Sequence, residues 1–156
     1  MTTLTADDLA QLTIATLERT AFMLADPAET DPAAFARTTR AAIIRYHGPQ
    51  AGQVELRTTD GFLRGLAAGL LGVEPDDIDL DASGEDAIRE LTNIVGGSVV
   101  ATLGGANSTY SLGLPQTVPP ASLPGRPRAT TCALHCEGHT LYVTWIPDAA
   151  DAAKAA

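Results

Sequence analysis

Asp86-Ala87-Ile88-Arg89-Glu90-Leu91-Thr92-Asn93-Ile94-Val95-Gly96-Gly97 is the stretch on which the fold turns. At about 100° per residue, Ile88, Leu91, Ile94, Val95, Val99 and Thr102 gather on one side and predict a buried helical stripe. Asp86, Glu90, Asn93 and Gly97 fall together on the opposite, exposed side. The glycine pair could end the helix, since mid-helix Gly costs on the order of 1 kcal/mol relative to Ala. Yet apolar spacing continues through Val99, Val100 and Leu103, and a second stop signal follows at Gly104-Gly105. The pattern therefore predicts one helix from Ser83 to Leu103. Gly97 then lies one turn beyond Asn93, where a missing side chain lets another surface approach closely. An exposed Glu or Asn alone is ordinarily just solvated. The two together with Gly97, above a clean core stripe, mark this face out.

Around that helix the chain divides by turn and cap signals. Thr5-Ala6-Asp7-Asp8 reads as a capped start, with carboxylates favourable to the helix dipole. Leu9, Leu12, Ala15 or Thr16, and Leu17 keep core-like spacing in a helix predicted to end near Asp26-Pro27. Asp26 to Pro32 reads as a surface loop. Thr39 to Tyr46 and Gln53 to Thr58 read as strands joined by a turn-rich link. Thr59-Asp60 caps a short helix, Phe62 to Leu71, that stops at Gly72, and Pro75 to Asp81 is an acidic linker. Tyr110 to Leu114 and Gln116 to Val118 look strand-like, and Pro119 to Pro127 is an irregular loop. Arg128 to Cys136 and Thr140 to Ile146 form a hairpin across Glu137-Gly138-His139. This order predicts an α+β domain over residues 1–146, an antiparallel sheet with helices packed on one face. Residues 147–156, polar and Ala-rich, read as a flexible C-terminal tail.

Composition removes several functions. The 156 residues suffice for one domain with a real core. Hydrophobic residues make up 45% but aromatics only 4%, so Ala, Leu, Val and Ile must build the interior. A formal net charge of −9 with no Lys/Arg cluster disfavours nucleic acid, which needs basic groups to neutralise phosphates. No apolar stretch approaches the roughly 18 residues that span a bilayer, and no signal peptide is visible, so the expected location is cytoplasmic. Cys132 and Cys136, with His135 and His139 nearby, invite a metal reading. Their spacing lacks the C-x-x-C of a zinc site, and strand alternation puts Cys132, Leu134 and Cys136 on one core-like face. A disulfide along one straight strand would have to span about 13 Å. Buried thiols and no metal are therefore expected. Neither a nucleophilic triad nor a phosphate-binding Gly loop stands out.

The pattern of Asp86, three residues, Glu90, two residues, Asn93, set within Glu90-Leu91-Thr92-Asn93-Ile94-Val95-Gly96-Gly97, resembles the CheC/CheX/FliY chemotaxis phosphatases, CheX-like domains in particular. Leu112-Gly113-Leu114-Pro115-Gln116-Thr117-Val118 and an amphipathic opening helix at Leu12 to Leu24 support it, and the resemblance runs from Leu4 to Ile146. It implies two longer helices side by side on the sheet. It also implies hydrolysis of the phospho-aspartate of a CheY-type response-regulator receiver domain in two-component signalling. Carried over, Asn93 positions the attacking water and Glu90 contacts a receiver lysine, while Asp86 and Gly97 support the contact. The chain needs no cofactor of its own, Mg²⁺ belonging to the receiver. Glu18-Arg19-Thr20-Ala21 lacks the Asn of a second such motif, so one active helix is expected, and Ser98 stands where relatives often carry Asn. A non-catalytic CheX-like binding module is the alternative reading, and a flagellar-switch structural domain a weaker one. A homodimer through sheet edges is also expected, with Tyr142 and Trp145 of the C-terminal strand pair buried at the contact and the prolines of 119–127 shielding one edge.

Overall fold

The computed structural model describes residues 2–104, 109–123 and 129–148. Its first element, α1, Ala6–Ala21, begins with the predicted cap. The Thr5 N–H donates to Asp8 at 2.8 Å and the Asp8 N–H donates to the Thr5 hydroxyl at 3.1 Å, a reciprocal capping box. Thr13 and Thr16 are buried, and their hydroxyls donate to the carbonyls of Leu9 and Leu12 one turn back. Polar groups can therefore face the core without being left unpaired. The helix ends earlier than the sequence suggests, because Phe22 turns left-handed there. The supposed loop after it contains a three-residue strand, β1, Asp26–Ala28, paired antiparallel with residues 133–135.

A short helix, α2, Pro32–Ala36, leads into β2, Arg40–His47, and β3, Gly52–Thr58. Helix α3, Asp60–Leu71, stops as predicted at a left-handed Gly72. The acidic linker is ordered, with a 3-10 turn at Pro75–Asp77 and a π-turn at Leu80–Gly84 that runs straight into α4, Glu85–Gly104. Two short strands, β4, Ser111–Leu112, and β5, Gln116–Val118, precede β6, Thr130–Cys136, and β7, His139–Pro147. Glu137 and Gly138, both at positive φ, make the two-residue turn between β6 and β7. The fully antiparallel sheet runs β1-β6-β7-β3-β2, with β4 and β5 both on the outer edge of β2.

Strand alternation sorts the sheet into two faces. Ile44, Tyr46, Val54, Leu56, Val143 and Trp145 enter the main core beneath α1, α3 and α4. Each such fully buried apolar side chain contributes on the order of 2 kcal/mol. Cys132, Leu134 and Cys136 lie on this same face, as their spacing predicted, and both thiols are buried and free. The other face is not bare. Phe35 of α2 packs edge-on against Tyr142, with ring centroids 5.1 Å apart, and lies beneath the Arg57 guanidinium.

Three expectations are corrected here. Tyr142 and Trp145 are 1% and 2% exposed, so neither is available to a dimer contact. Nor is the β6–β7 pair an edge, since β1 covers β6 and β3 covers β7. Pro147 and Asp148, assigned to the tail, are held by the sheet: Pro147 ends β7, and Asp148 donates its N–H to Ala51 and pairs with Arg45. Residues 149–156, with Gly105, Pro124, Pro127 and Arg128, lie outside the described residues.

Candidate functional site

The candidate site lies on helix α4, whose start is tied to its neighbours by ion pairs. Arg40 on β2 reaches Asp60 at the start of α3 (2.9 Å), Glu85 at the start of α4 (2.8 Å) and Asp81 in the π-turn (3.2 Å). One guanidinium thus ties the two helix starts to the sheet, with its fork satisfied by several carboxylates at once. Asp60 in turn holds Arg40 firmly protonated, and Arg40 holds the Asp60 carboxyl below its usual range.

Facing the core, α4 buries Ala87, Ile88, Leu91, Thr92, Val95, Gly96, Val99 and Leu103. The stripe is as predicted except at two places. Ile94 is only half-buried, and Thr102 is exposed, its hydroxyl donating back to Ser98. Asp86, Glu90 and Asn93 are exposed on the opposite side, and Gly97 is half-buried. Asp86 is not free, because Arg89 pairs with it one turn along the surface. The side chains of Glu90 and Asn93 form no hydrogen bond or ion pair among the described residues. One turn apart on a packed helix, they present a carboxylate and a carboxamide to whatever docks there.

Within the fold, the glycine in close contact is Gly96. A Cβ on Gly96 would stand 2.8 Å from Ile44 Cγ2, so its absence is what lets α4 settle onto β2. A Cβ on Gly97 would meet nothing nearer than Leu112 Cδ1 at 3.8 Å. Leu112, from the segment downstream of the helix, therefore fills the space beside the glycine pair. Sequence periodicity cannot separate two adjacent glycines by their neighbours across the fold.

The sequence reading also missed a small groove beside the site. Between α3 and α4 lies a cavity of about 90 Å³ lined by Ala67, Leu70, Leu71, Ser83, Asp86 and Glu90, among others. The signal was present in Leu71, which stands off the apolar stripe of α3. A larger cavity, about 580 Å³, lies on the other face of the sheet and includes Phe35, Arg57, Pro119 and Thr144 in its lining. None of the motif residues lines it. Arg57 donates there to the carbonyls of Pro120 and Leu123, bracing that segment against the sheet.

Among the described residues no group of three or more His, Cys, Asp or Glu could hold a metal ion. Among them, too, no helix is long and apolar enough to cross a membrane.

Solved structures share this architecture closely. A CheX from Desulfovibrio desulfuricans superimposes with a TM-score of 0.70 at 19% identity, over 92% of this chain and 98% of that one. A CheX from Vibrio vulnificus gives 0.72 at 15% identity, over 91% and 95%. The CheX of a CheX–CheY–BeF3–Mg²⁺ complex from Borrelia burgdorferi gives 0.67 at 15% identity, over 89% and 94%. At these identities the likeness establishes the fold. No curated protein matches the sequence. A family model described as chemotaxis phosphatase CheX matches residues 40–138, which is more than half of the chain and contains all of α4. The chain therefore belongs to the CheX family.

Proposed function

We propose that this protein accelerates hydrolysis of the phospho-aspartate on a CheY-like receiver domain, with Glu90 and Asn93 as its working pair. The observation that carries this reading is that both side chains are exposed and unpartnered, one turn apart, on a helix whose position is locked by Arg40 and Gly96. The complex of a related CheX with CheY, BeF3 and Mg²⁺ supports the choice of partner.

A carboxamide donates and accepts hydrogen bonds without changing charge. Asn93 therefore suits the task of holding a water in line with the scissile P–O bond, one of the few contributions a protein makes to phosphoryl transfer. The water oxygen bonds to phosphorus, the aspartate carboxylate leaves, and the water's proton passes to the departing phosphate. Glu90 pairs with a receiver lysine and so sets the docking register. Gly97, with no side chain, leaves backbone open beside Asn93. Asp86, engaged by Arg89, borders the contact. Mg²⁺ is supplied by the receiver.

The test is decay of labelled phospho-receiver, run with a panel of receivers from the same genome. Wild type speeds decay. Asn93→Ala loses about 10²–10³ in rate, the usual cost of a pre-positioned catalytic group, while its melting temperature stays put. Glu90→Lys weakens binding of a beryllofluoride-loaded receiver, because like charges across an interface cost several kcal/mol. A well-folded Asn93→Ala with full activity removes Asn93 from the mechanism. Wild type that binds receivers without hastening decay leaves a binding module in place of an enzyme.

A further inference from the structure

Helix α4 carries three carboxylates, and arginines engage two of them. Arg40 of β2 pairs with Glu85 at 2.8 Å, and Arg89 pairs with Asp86 three residues before it in the same helix. The side chain of Glu90 alone is left without a partner among the described residues. Arg89 is also the single cation of Glu85–Gly104. It falls between Asp86 and Glu90 in sequence, yet it engages only Asp86.

As a source of stability this pair is worth little. Asp86 is 75% and Arg89 37% exposed, and solvent screens such pairs. What the pair changes is the choice of anchor. Asp86 and Glu90 are four residues apart, so both occupy neighbouring positions on one exposed face. Without Arg89, a lysine arriving there would meet two similar carboxylates. At a rise of 1.5 Å per residue, the two registers differ by about 6 Å along α4. Only one of them can bring Asn93 to the phosphoryl group, since a misplacement of about 1 Å already costs on the order of 10²-fold in rate.

Arg89 separates the two registers. It neutralises Asp86, and a lysine brought to Asp86 would lie against a guanidinium. Like charges brought together across an interface oppose binding, and such a repulsive element excludes the wrong arrangement. A lysine at Glu90 avoids this, because successive residues on a helix do not face each other and Arg89 is drawn back to Asp86.

We propose that Arg89 is a positioning residue of the receiver site: by occupying Asp86 it leaves Glu90 as the one anchor, and so fixes the register that brings Asn93 to the phospho-aspartate. The proposal rests on the receiver reading above. Arg89 does no chemistry in it and acts through Asp86 and Glu90.

The experiment measures Kd for a beryllofluoride-loaded receiver, kcat for dephosphorylation, and melting temperature. The proteins are wild type, Glu90→Gln, Arg89→Ala with Glu90→Gln, and the triple variant that adds Asp86→Asn. All three positions lie on the helix surface, so melting temperatures stay near wild type. Glu90→Gln raises Kd at least tenfold, because Asp86 is occupied. Removing Arg89 as well frees Asp86, and the double variant regains most of that affinity. Its kcat stays at least tenfold below wild type, because the lysine is now held one turn away from its proper place. Adding Asp86→Asn abolishes the regained affinity. If the double variant binds no better than Glu90→Gln, or if the regained affinity survives Asp86→Asn, the positioning role is wrong and the receiver reading stands. Regained affinity with wild-type kcat overturns it as well, since no slip in register would have occurred. If Glu90→Gln binds like wild type, Glu90 is no anchor and the proposal falls with that role. If wild type neither binds nor dephosphorylates receivers, the receiver reading falls and the proposal with it.

Discussion

Ile44 Cγ2 is a branch methyl close to its own backbone, and it would lie 2.8 Å from a Cβ on Gly96. Such a methyl cannot swing clear, so Gly96→Ala forces α4 away from β2. Overpacking of this kind costs typically 1–3 kcal/mol, which exceeds the roughly 1 kcal/mol that Ala gains over Gly in a helix. At Gly97 the nearest atom is 3.8 Å from the added Cβ, in ordinary contact, so only the propensity gain remains. Urea unfolding should therefore show Gly96→Ala destabilised, by about 1–2 kcal/mol net. The same measurement should show Gly97→Ala unchanged or stabilised by up to about 1 kcal/mol. Equal effects would mean that the two glycines are not divided between packing and surface. Glu90 and Asn93 were legible as exposed because their angular position on a helix is a local property. The identity of the crowded glycine was not, because Ile44 is far away in the chain.

At the scale of elements, the decisive device is Arg40, which joins β2 to the starts of α3 and α4. Its side chain is only 20% exposed while Asp60 is about half exposed, so solvent screens part of the pairing. Arg40→Met should cost about 1–2 kcal/mol at pH 7, the range of a hydrogen-bonded, partly screened charge network. The pH dependence has a definite sign. Arg40 holds the folded Asp60 carboxyl below its ordinary value. That contribution is therefore complete above about pH 4 and is lost as pH falls through the lowered folded value. Thermal melts should show a gap between wild type and Arg40→Met at pH 7 that narrows towards pH 3. A gap that does not change with pH would mean that Asp60 is not the main partner. The caps of α1 and α3 could be read from Thr5, Asp8 and Gly72, whereas the bond between β2 and two helices could not.

Across the whole molecule, the two cysteines report on the integrity of the core. Cys132 and Cys136 sit on the helix side of β6, and burial pushes the Cys132 thiol up to about 11 and raises that of Cys136 as well. Thiolate is the reactive form, so at pH 8 neither should react with an alkylating reagent in the native state. Labelling of Cys132 should appear only with unfolding of the sheet-and-helix core, at denaturant concentrations matching the loss of Trp145 fluorescence. Rapid labelling of Cys132 in native buffer would show that β6 opens independently of the rest. The same global view removes the proposed dimer contact, since the aromatic residues assigned to it, Tyr142 and Trp145, are interior. Trp145 donates from its indole nitrogen to the Tyr46 hydroxyl at 2.7 Å across β3, a pairing between residues nearly a hundred positions apart.

By itself the sequence determined the motif helix, read as 83–103 and found at Glu85–Gly104, with its exposed Asp86, Glu90 and Asn93, the capped start of α1, the β6–β7 hairpin and the inward-facing thiols. Each of these follows from relations within a few residues: a period of 3.6 or 2, a cap three positions away, a turn that needs positive φ. Only the tertiary structure decided that Asp26–Ala28 covers the edge of β6, that α2 shields the far face, that Gly96 meets Ile44, and that Leu71 shares a groove with Glu90. Those outcomes depend on which distant surfaces pack together, and close packing selects among partners that local patterning leaves equivalent.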